Sequence, residues 1–203
     1  MSQRDDKYDN FAELAADNVY GVDYVYSAKK RAAPVVVVAP HGGTIERGTS
    51  ELAAAIAGKG HSLYLFEGLL PPREAWALHI SSHRFDAPGC RPLIQAAHFA
   101  VAIHGEKTCP EPVSFLGGLD TDLVNEMGGA LLAAGFHVRL HPNPLLQGED
   151  EENICNLGSN GGGIQFELSR PLRRLFFVSL TRAGRRQPTA LFHEFVAAVR
   201  SCL

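Results

Sequence analysis

The sequence predicts an α/β protein in which helices cover a mixed, largely parallel central sheet. Apolar runs typical of strands alternate with amphipathic helical segments along the whole chain, which is the pattern of layered α/β folds. The runs at residues 33–40 and 98–104 are continuously apolar, as expected of strands buried on both faces. With 203 residues and no linker or internal repeat, residues 1–203 are predicted to form a single domain with a sizeable core.

The N-terminal half contains the first strands and the first predicted helix. Strands are predicted at residues 23–28, 33–40 and 61–67, and a helix is predicted at residues 48–60. Thr49 or Ser50 can cap the N-terminus of this helix through its hydroxyl group. Gly58 or Gly60 can end it, because glycine readily adopts the left-handed backbone conformation found after helices.

The C-terminal half continues the alternation and adds one long loop. Strands are predicted at residues 98–104, 136–140, 163–168 and 175–180, and helices are predicted at residues 120–135 and 189–202. Leu123, Met127 and Leu131 form an apolar stripe on the first of these helices. Residues 142–163 are rich in Gly, Asn and acidic residues, and a loop of this length usually has a function or is mobile.

The overall composition is that of an ordinary globular protein, with 45% apolar and 20% charged residues. The net charge of -3 gives no basic field, so no nucleic-acid partner is predicted. No apolar run approaches the ~20 residues that span a membrane, and the polar residues 1–10 do not resemble a secretory signal. We therefore expect synthesis in the cytoplasm without a membrane partner. Release by cell lysis is compatible with this expectation, because lysis requires no signal in the sequence.

The cysteine pattern predicts neither a cysteine zinc site nor a disulfide framework. The four cysteines are Cys90, Cys109, Cys155 and Cys202, and no two of them form a CxxC pair. A chain long enough to build a full core rarely depends on disulfides for its stability. The cysteines are therefore expected to act mainly as small apolar side chains.

Three predicted buried strands end on residues that can bind metals or transfer protons. His41 follows one strand, with Glu46 in the next turn, while His104 and Glu167 lie at the ends of two others. Because ligands bind outside the carboxyl ends of strands in open α/β sheets, we expect these side chains to meet. Two histidines and one glutamate form the protein ligand set of catalytic zinc, and a further carboxylate can serve as a general base.

Each of these residues also has a purely structural interpretation. A histidine at a strand end is more often part of a hydrogen-bond network than a metal ligand, and Glu46 alone would be read as a solvated turn residue. A carboxylate inside the apolar segment around Glu167 must be paired, protonated or close to a cation. An ion pair with an arginine such as Arg173 is the structural alternative there. The occurrence of such residues at the ends of three separate strands favours a common site.

Five segments occur in a characteristic order along the chain. They are PHGGTIERGTSE (residues 40–51), LHISSHRFD (78–86), AIHG (102–105), ENICN (152–156) and GGGIQFELS (161–169). Together they resemble the phage-type poly-γ-glutamate hydrolases, which are zinc-dependent enzymes related in fold to the zinc carboxypeptidases. The resemblance runs from about residue 11 to residue 173. It implies a zinc carboxypeptidase-like fold, a phage or prophage connection, and one catalytic domain that hydrolyses γ-glutamyl amide bonds of poly-γ-glutamate with Zn²⁺.

The resemblance also assigns roles to individual residues. The zinc ligands of the family fall on His41, Glu46 and His104, and the general base of the carboxypeptidase relatives falls on Glu167. The glycine pair at residues 42–43 would let the chain fold back tightly enough for His41 and Glu46 to reach one ion.

Substrate-binding residues are expected among cations and amides, because each unit of poly-γ-glutamate carries a free α-carboxylate. Arg84 and Arg173 are the candidates for binding substrate or stabilising an oxyanion, and Asn153 and Asn156 are the candidates in the long loop. Leu157 departs from the family pattern, which is expected to have a basic residue at this place. This departure leaves the preferred chain length and the exact amide open.

Other functions remain open at this point. A zinc hydrolase of the same fold could act on another peptide, cell-wall or N-acyl amide bond, and a non-catalytic binding module could retain the old hydrolase fold. Phosphate binding by GSNGGG (residues 158–163) is not expected, because this segment lacks the Gly-Lys-Ser/Thr ending and precedes a strand instead of a helix.

Overall fold

A seven-stranded mixed sheet forms the centre of residues 6–203, which are the residues that the computed structural model describes. The strands are β1 (Tyr24–Lys29), β2 (Val35–Gly43), β3 (Ser62–Gly68), β4 (Phe99–His104), β5 (Ser114–Gly117), β6 (Val138–Arg139) and β7 (Ile164–Leu168). Their order across the sheet is β1-β3-β2-β4-β7-β5-β6. Residues 1–5 of the polar N-terminal stretch, on which the expectation of no secretory signal partly rests, lie outside the described residues.

The directions of the strands confirm the predicted α/β fold with a mixed, largely parallel sheet. The central strands β3, β2, β4 and β7 are parallel to one another. Strand β1 runs antiparallel to β3, β5 runs antiparallel to β7, and β6 is parallel to β5. The carboxyl ends of β2, β4 and β7 therefore share one edge, which is where ligands bind in such sheets.

Six α-helices cover the sheet in the described part of the chain. They are α1 (Phe11–Asp17), α2 (Thr49–Ala57), α3 (Cys90–Gln95), α4 (Thr121–Ala133), α5 (Arg170–Leu175) and α6 (Ala190–Arg200), with 3₁₀ turns at Ala75–Leu78, Pro144–Leu146, Ile154–Asn156 and Gly184–Arg186. None of these helices has the length and apolar character needed to cross a membrane.

Two apolar clusters pack against the two faces of the sheet. Val35 and Val37 of β2 join a cluster with side chains of α2, α4 and α6. Val36 and Val38 point the other way, into a cluster built with α1, α3 and the segment that precedes α3. Because successive strand residues face opposite sides, burial on both faces explains the unbroken valine run.

The predicted strand at residues 175–180 is wrong. Helix α5 precedes this range and ends at Leu175, and it begins where the side chain of Ser169 accepts a hydrogen bond from Leu172 N and Pro171 occupies the first helical turn. After this helix, Phe177 forms only an isolated bridge with Pro188. Phe176, Phe177 and Leu180 are buried through irregular packing while Leu175 and Val178 are exposed, and a simple apolar run does not distinguish this arrangement from a strand.

Several short elements were not predicted. Helices α1 and α3 and strand β5 contain only seven, six and four residues, too few to show a clear period. Strand β6 contains two of the five predicted residues. The predicted long loop at residues 142–163 is present, and the 3₁₀ turns Pro144–Leu146 and Ile154–Asn156 give it local structure.

Candidate active site

Three neighbouring strands bring the predicted site residues to one edge of the sheet. His41 lies near the end of β2, His104 ends β4, and Glu167 lies near the end of β7. His104 and Glu167 are direct register partners across the β4–β7 pair. His41, His104 and Glu167 are all at least 94% buried, at 1%, 2% and 6% exposure. The meeting of separate strand ends that the sequence predicts is therefore present.

The turn after His41 places Glu46 beside it. The backbone N–H of Glu46 donates to the carbonyl oxygen of His41 at 2.8 Å, which closes a tight turn. Gly43 has φ +67°, and a Cβ atom at this position would lie 2.3 Å from Gly68 O. At Gly42, a Cβ atom would lie 2.0 Å from the Ser50 hydroxyl. Only glycines therefore permit this close return of the chain.

The donor atoms of His41, Glu46 and His104 converge within 4.8 Å of one another. The two Nδ1 atoms are 3.2 Å apart. His41 Nδ1 lies 3.4 Å from Glu46 Oε1, and His104 Nδ1 lies 3.8 Å from Glu46 Oε2. Ligands around a tetrahedral zinc ion, with bonds near 2.0–2.1 Å, lie roughly 3.3 Å apart. The spacing and the chemistry of these donors therefore fit a single metal ion of this type.

Hydrogen bonds on the far side of each imidazole support this arrangement. His41 Nε2 lies 2.8 Å from Ile80 O, which can only accept, so Nε2 carries a proton. When the ring is neutral, the lone pair on Nδ1 of His41 then points towards the metal-binding atoms of Glu46 and His104. His104 Nε2 lies 3.3 Å from the Ser82 hydroxyl. Such contacts orient histidine ligands and fix their tautomers in metal sites.

The electrostatics keep Glu46 ionised in this buried place. Burial alone would raise the pKa of Glu46, but the adjacent His41 and His104 outweigh burial and lower this pKa to about 2. Burial alone would lower the pKa of His41, but the Glu46 carboxylate raises it. For His104, burial dominates and lowers the pKa to about 3. A carboxylate and a neutral imidazole are the forms that bind metal ions, so these shifts favour the metal-binding forms of Glu46 and His104, whereas a protonated His41 must release its proton to the solvent when a metal binds.

Glu167 is a buried carboxylate that forms no salt bridge with an arginine in the described part of the chain. Its pKa is raised well above the ordinary value by burial first, and then by the negative charges of Glu46 and Glu106. Gln165 Nε2 donates to Glu167 Oε1 at 3.3 Å. Among the described residues, no salt bridge joins Glu167 to Arg173. The structural alternative, an ion pair between Glu167 and Arg173, is therefore not supported by a direct contact. The role of Glu167 as general base stays a prediction.

Arg173 is held rigidly beside the histidine and glutamate cluster. It is 4% exposed, and its guanidinium group donates to the carbonyl oxygens of Leu168, Arg47 and Glu106 at 2.7–3.0 Å. A Cβ atom on Gly105 would lie 2.6 Å from the centre of this group, so the glycine makes room for it. A guanidinium group has five N–H donors, and these three bonds leave two for another acceptor.

A cavity of about 200 Å³ adjoins the cluster, since Glu46, Gly105 and Arg173 line it. Its other cationic lining residues are Arg47, Arg73, Lys107 and Arg170. Arg47 is half-buried, and its pKa is lowered by burial and by the nearby positive charges of Arg170 and other arginines. This concentration of positive charge suits an anionic ligand.

The structure does not bring the other predicted substrate-binding residues to this cavity. Arg84 binds Asp6 at 2.8 Å and also contacts Asp9. Asn153 donates to Gln165 at 2.8 Å and accepts from Cys155 N. These contacts tie Arg84 and Asn153 to other parts of the protein, and direct substrate binding by them stays a prediction.

Asn156 and Leu157 help to hold the long loop in place. Asn156 donates to Gly148 O at 2.7 Å and to Asp150 O at 2.8 Å, and it accepts from Leu119 N. Leu157 packs against the apolar cluster on the α3 side of the sheet. A basic side chain at this position would lose that packing, which gives a structural reason for leucine here. Direct substrate binding by Asn156 stays a prediction.

Sequence reasoning missed several residues near the cluster. Trp76, Lys107 and Arg170 line the cavity, and the Lys107 ammonium group lies 3.3 Å from the centre of the Trp76 ring. Lys107 follows His104 by three residues and Arg170 follows Glu167 by three. Cations just after two functional strand ends were therefore a signal that could have identified both residues. Trp76 has no such signal, because it reaches the cavity from a separate segment.

The fold and the site together define an α/β protein of the zinc carboxypeptidase-like fold, with a His–Glu–His cluster suited to a metal. The family model for poly-gamma-glutamate hydrolase matches residues 8–198. The chain belongs to this family and is a hydrolase. A putative carboxypeptidase from Burkholderia mallei shares the fold alone, with a TM-score of 0.51, 12% identity and coverage of 88% of this chain and 59% of that one.

Solved structures and a curated relative are much more similar. A bacteriophage poly-gamma-glutamate hydrolase has a TM-score of 0.92 and 32% identity, covering 98% of this chain and 96% of that one. The zinc-free form of YndL has a TM-score of 0.90 and 32% identity, covering 98% and 97%. The SPbeta prophage-derived protein YoqZ of Bacillus subtilis (strain 168) is 37% identical over 96% of this chain and 70% of its own length.

Proposed function

We propose that the protein is a zinc-dependent hydrolase that cleaves the γ-glutamyl amide bonds of poly-γ-glutamate. The observation that carries this proposal is the convergence of the His41, Glu46 and His104 donor atoms beside a cavity rich in cations. The donor set suits zinc, and the cations suit a substrate with one carboxylate per unit. The similarity to a bacteriophage poly-gamma-glutamate hydrolase and to YndL, whose structure is described as zinc-free, supports both parts.

His41, Glu46 and His104 would hold the metal through two Nδ1 atoms and the carboxylate. A zinc ion at this place would supply a Lewis acid for the amide carbonyl and would lower the pKa of a water molecule to about 7. Gly105 N donates to Glu46 Oε2 at 2.8 Å and so fixes the orientation of this carboxylate. The Ile80 carbonyl fixes the ring of His41 in the same way.

Glu167 would act as the general base and then as the general acid. Its carboxylate takes a proton from the water whose oxygen attacks the amide carbon. It then donates this proton to the amide nitrogen as the C–N bond breaks, which leaves one carboxyl and one amine product. A pKa raised above the ordinary value makes a carboxyl group effective in both directions near neutral pH.

Arg173 would stabilise the negative charge that develops on the amide oxygen. Its three bonds to carbonyl oxygens fix the guanidinium group before substrate binds, and two N–H donors remain for the oxyanion. A donor that is already in place costs no reorganisation during the reaction, and this is a main source of rate enhancement in amide hydrolysis.

The smaller, cation-lined cavity suits the substrate better than a larger neighbouring groove. That groove has a volume of about 560 Å³ and lies on the other side of Arg73 and Trp76, which line both spaces. Asp17, Asp23 and Glu74 outnumber the cations Lys7 and Arg73 in its lining, so it suits a polyanion less well than the smaller cavity does. We therefore propose that the carboxylates next to the scissile bond bind beside Arg47 and Arg170.

A comparison of two polymers tests this function. The purified protein is loaded with one equivalent of zinc and incubated with poly-γ-glutamate or poly-α-glutamate, and the product sizes are measured by chromatography. The two polymers carry the same charge per unit and differ in the amide that is cleaved, so we expect shortening of the γ-linked polymer alone. Cleavage of poly-α-glutamate alone would indicate a peptidase, and binding of poly-γ-glutamate without cleavage would indicate a binding module.

A further inference from the structure

Asp6 forms a buried anchor outside the metal-binding cluster. Its side chain is only 2% exposed. Oδ1 lies 2.6 Å from His79 Nδ1, and Oδ2 accepts from Ser81 N at 2.7 Å, from Ser81 Oγ at 2.5 Å and from Arg84 Nη2 at 2.8 Å. A buried carboxylate is tolerated only when it is bonded in this way, so these contacts define one position for the segment around Ser81.

The segment that Asp6 holds is the one that orients both histidine ligands. Ile80 O lies 2.8 Å from His41 Nε2, and the Ser82 hydroxyl lies 3.3 Å from His104 Nε2. The ring of His79 also stacks on the ring of His41, with centroids 4.0 Å apart. Contacts to Asp6 at His79 and Ser81 therefore alternate along the chain with contacts to the ligands.

The segment has no regular secondary structure of its own to fix it. It lies between the 3₁₀ turn Ala75–Leu78 and helix α3. A backbone carbonyl in a loop can move by a few tenths of an ångström more easily than one in a sheet, because fewer bonds restrain it. Anchoring by a buried carboxylate supplies the missing restraint. The N-terminal residues thus support a site whose ligands come from β2 and β4.

We propose that Asp6 is a positioning residue for the metal centre, acting on His41 through His79 and Ile80 and on His104 through Ser81 and Ser82. This inference rests on the proposed metal site and adds a residue that never touches the ion. Loss of the anchor lets both imidazole rings rotate, so the three donors spend less time at the spacing that the ion requires. The consequence is weaker metal binding by a protein that is still folded.

The test compares Asp6→Asn with Asp9→Asn. Asparagine keeps the size of Asp6 but removes the charge. It also replaces one of the two accepting oxygens with an NH₂ group, which cannot accept the hydrogen bonds that Asp6 receives. Asp9 also binds Arg84, but its side chain is 73% exposed and has no contact with His79 or Ser81, so it is a matched control. The zinc dissociation constant is measured by competition with a chromophoric chelator, and thermal unfolding of the metal-free protein is recorded in parallel.

We expect Asp6→Asn to raise the zinc dissociation constant roughly 10-fold, the lower end of the effect of supporting residues in metal sites. Asp9→Asn should bind zinc as the wild type does. Unfolding of Asp6→Asn at a lower temperature with an unchanged dissociation constant would overturn the proposal, because a merely structural role predicts that result. If Asp6→Asn does not fold, Ser81→Ala decides: weaker zinc binding supports the anchor, and unchanged binding overturns it. A wild type that binds no zinc would overturn the metal site itself.

Discussion

The imidazole rings of His79 and His41 are stacked with their centroids 4.0 Å apart and their planes 29° apart. Trp76 stacks on the other side of His79 at 4.1 Å. The stack connects the cation-lined cavity, which Trp76 lines, to a predicted metal ligand. Trp76, which lines the cavity, and His41, a predicted metal ligand, are therefore separated by a single aromatic ring, which restricts the motion of the His41 ring.

Removal of a predicted ligand should abolish metal binding. We expect His104→Ala to reduce bound zinc from about one ion per chain to nearly none at equimolar zinc, because three protein ligands are the minimum for a tight catalytic site. Elemental analysis after equilibrium dialysis measures the occupancy. His98, which is exposed and precedes the same strand at its opposite end, is the control, and His98→Ala should keep its zinc. Full occupancy in His104→Ala would exclude the ligand set.

Replacement of the predicted general base should stop turnover without removing the metal. In Glu167→Gln, the size of the side chain is kept and the proton acceptor is lost. We expect kcat on poly-γ-glutamate to fall roughly 10²-fold or more, with normal zinc content. The exposed carboxylate Glu111 gives the control variant Glu111→Gln, which should retain wild-type turnover. Near-normal kcat in Glu167→Gln, or loss of zinc together with activity, would contradict the assigned role.

The same variant should stabilise the metal-free protein at neutral pH. The pKa of Glu167 is raised in the folded state by burial and by Glu46, so the folded protein holds a proton that the unfolded chain releases. The stability of the wild type relative to Glu167→Gln therefore falls as pH rises from about 4.3, the pKa of glutamate in the unfolded chain, towards the raised pKa of Glu167 in the folded protein. Thermal unfolding with excess chelator at pH 5 and pH 8 measures this. A variant less stable than wild type at pH 8 would contradict it.

Substrate affinity should depend on the cations of the cavity. Arg170 is exposed and lines the cavity, so Arg170→Ala should raise KM for poly-γ-glutamate by roughly 10-fold at low ionic strength, the effect of losing a charge-assisted hydrogen bond. Salt screens exposed charges, so the effect should shrink in 0.5 M NaCl. Arg182 is also exposed but does not line the cavity, and Arg182→Ala should leave KM unchanged. Equal KM values for both variants would place the substrate elsewhere.

The long loop should depend on Asn156 for its stability. Asn156→Ala removes the hydrogen bonds of this side chain with Gly148, Asp150, Leu119 and Cys155, of which those with Gly148 and Cys155 are buried, and we expect this loss to cost roughly 2–3 kcal/mol of unfolding free energy. Urea unfolding measures the cost. Asn160 lies in the same loop but is exposed, and Asn160→Ala should cost less than about 1 kcal/mol. Equal losses in the two variants would mean that the loop does not depend on Asn156.

The long apolar strands and the site at their ends could be predicted from local sequence. The valine run of β2 is buried on both faces, and parallel strands expose their carboxyl ends at one edge, so the meeting of His41, His104 and Glu167 followed from strand assignment. Helix α5, which ends at Leu175 where the wrongly predicted strand was expected to begin, could have been predicted, because Ser169 and Pro171 are a recognisable helix start.

The residues that hold the histidines of the site in place from outside the cluster could not be predicted in this way. Asp6 contacts His79 and Ser81 across more than 70 residues, and no period or motif connects these positions. The stack of Trp76 on His79 likewise depends on how a loop packs against the sheet. Such contacts depend on tertiary structure, whereas sequence patterns report the local backbone and which face is buried.

The place of β7 in the sheet has a consequence for the order in which the enzyme is made. Strand β7 lies between β4 and β5, although β5 and β6 leave the ribosome first. The β5–β6 pair is therefore joined to the sheet only when β7 arrives, and β7 carries Glu167. Completion of the sheet and acquisition of the predicted base are one event. A nascent chain that ends before residue 164 already contains His41, Glu46 and His104 but lacks Glu167, the predicted base, so we expect an unfinished chain to be inactive.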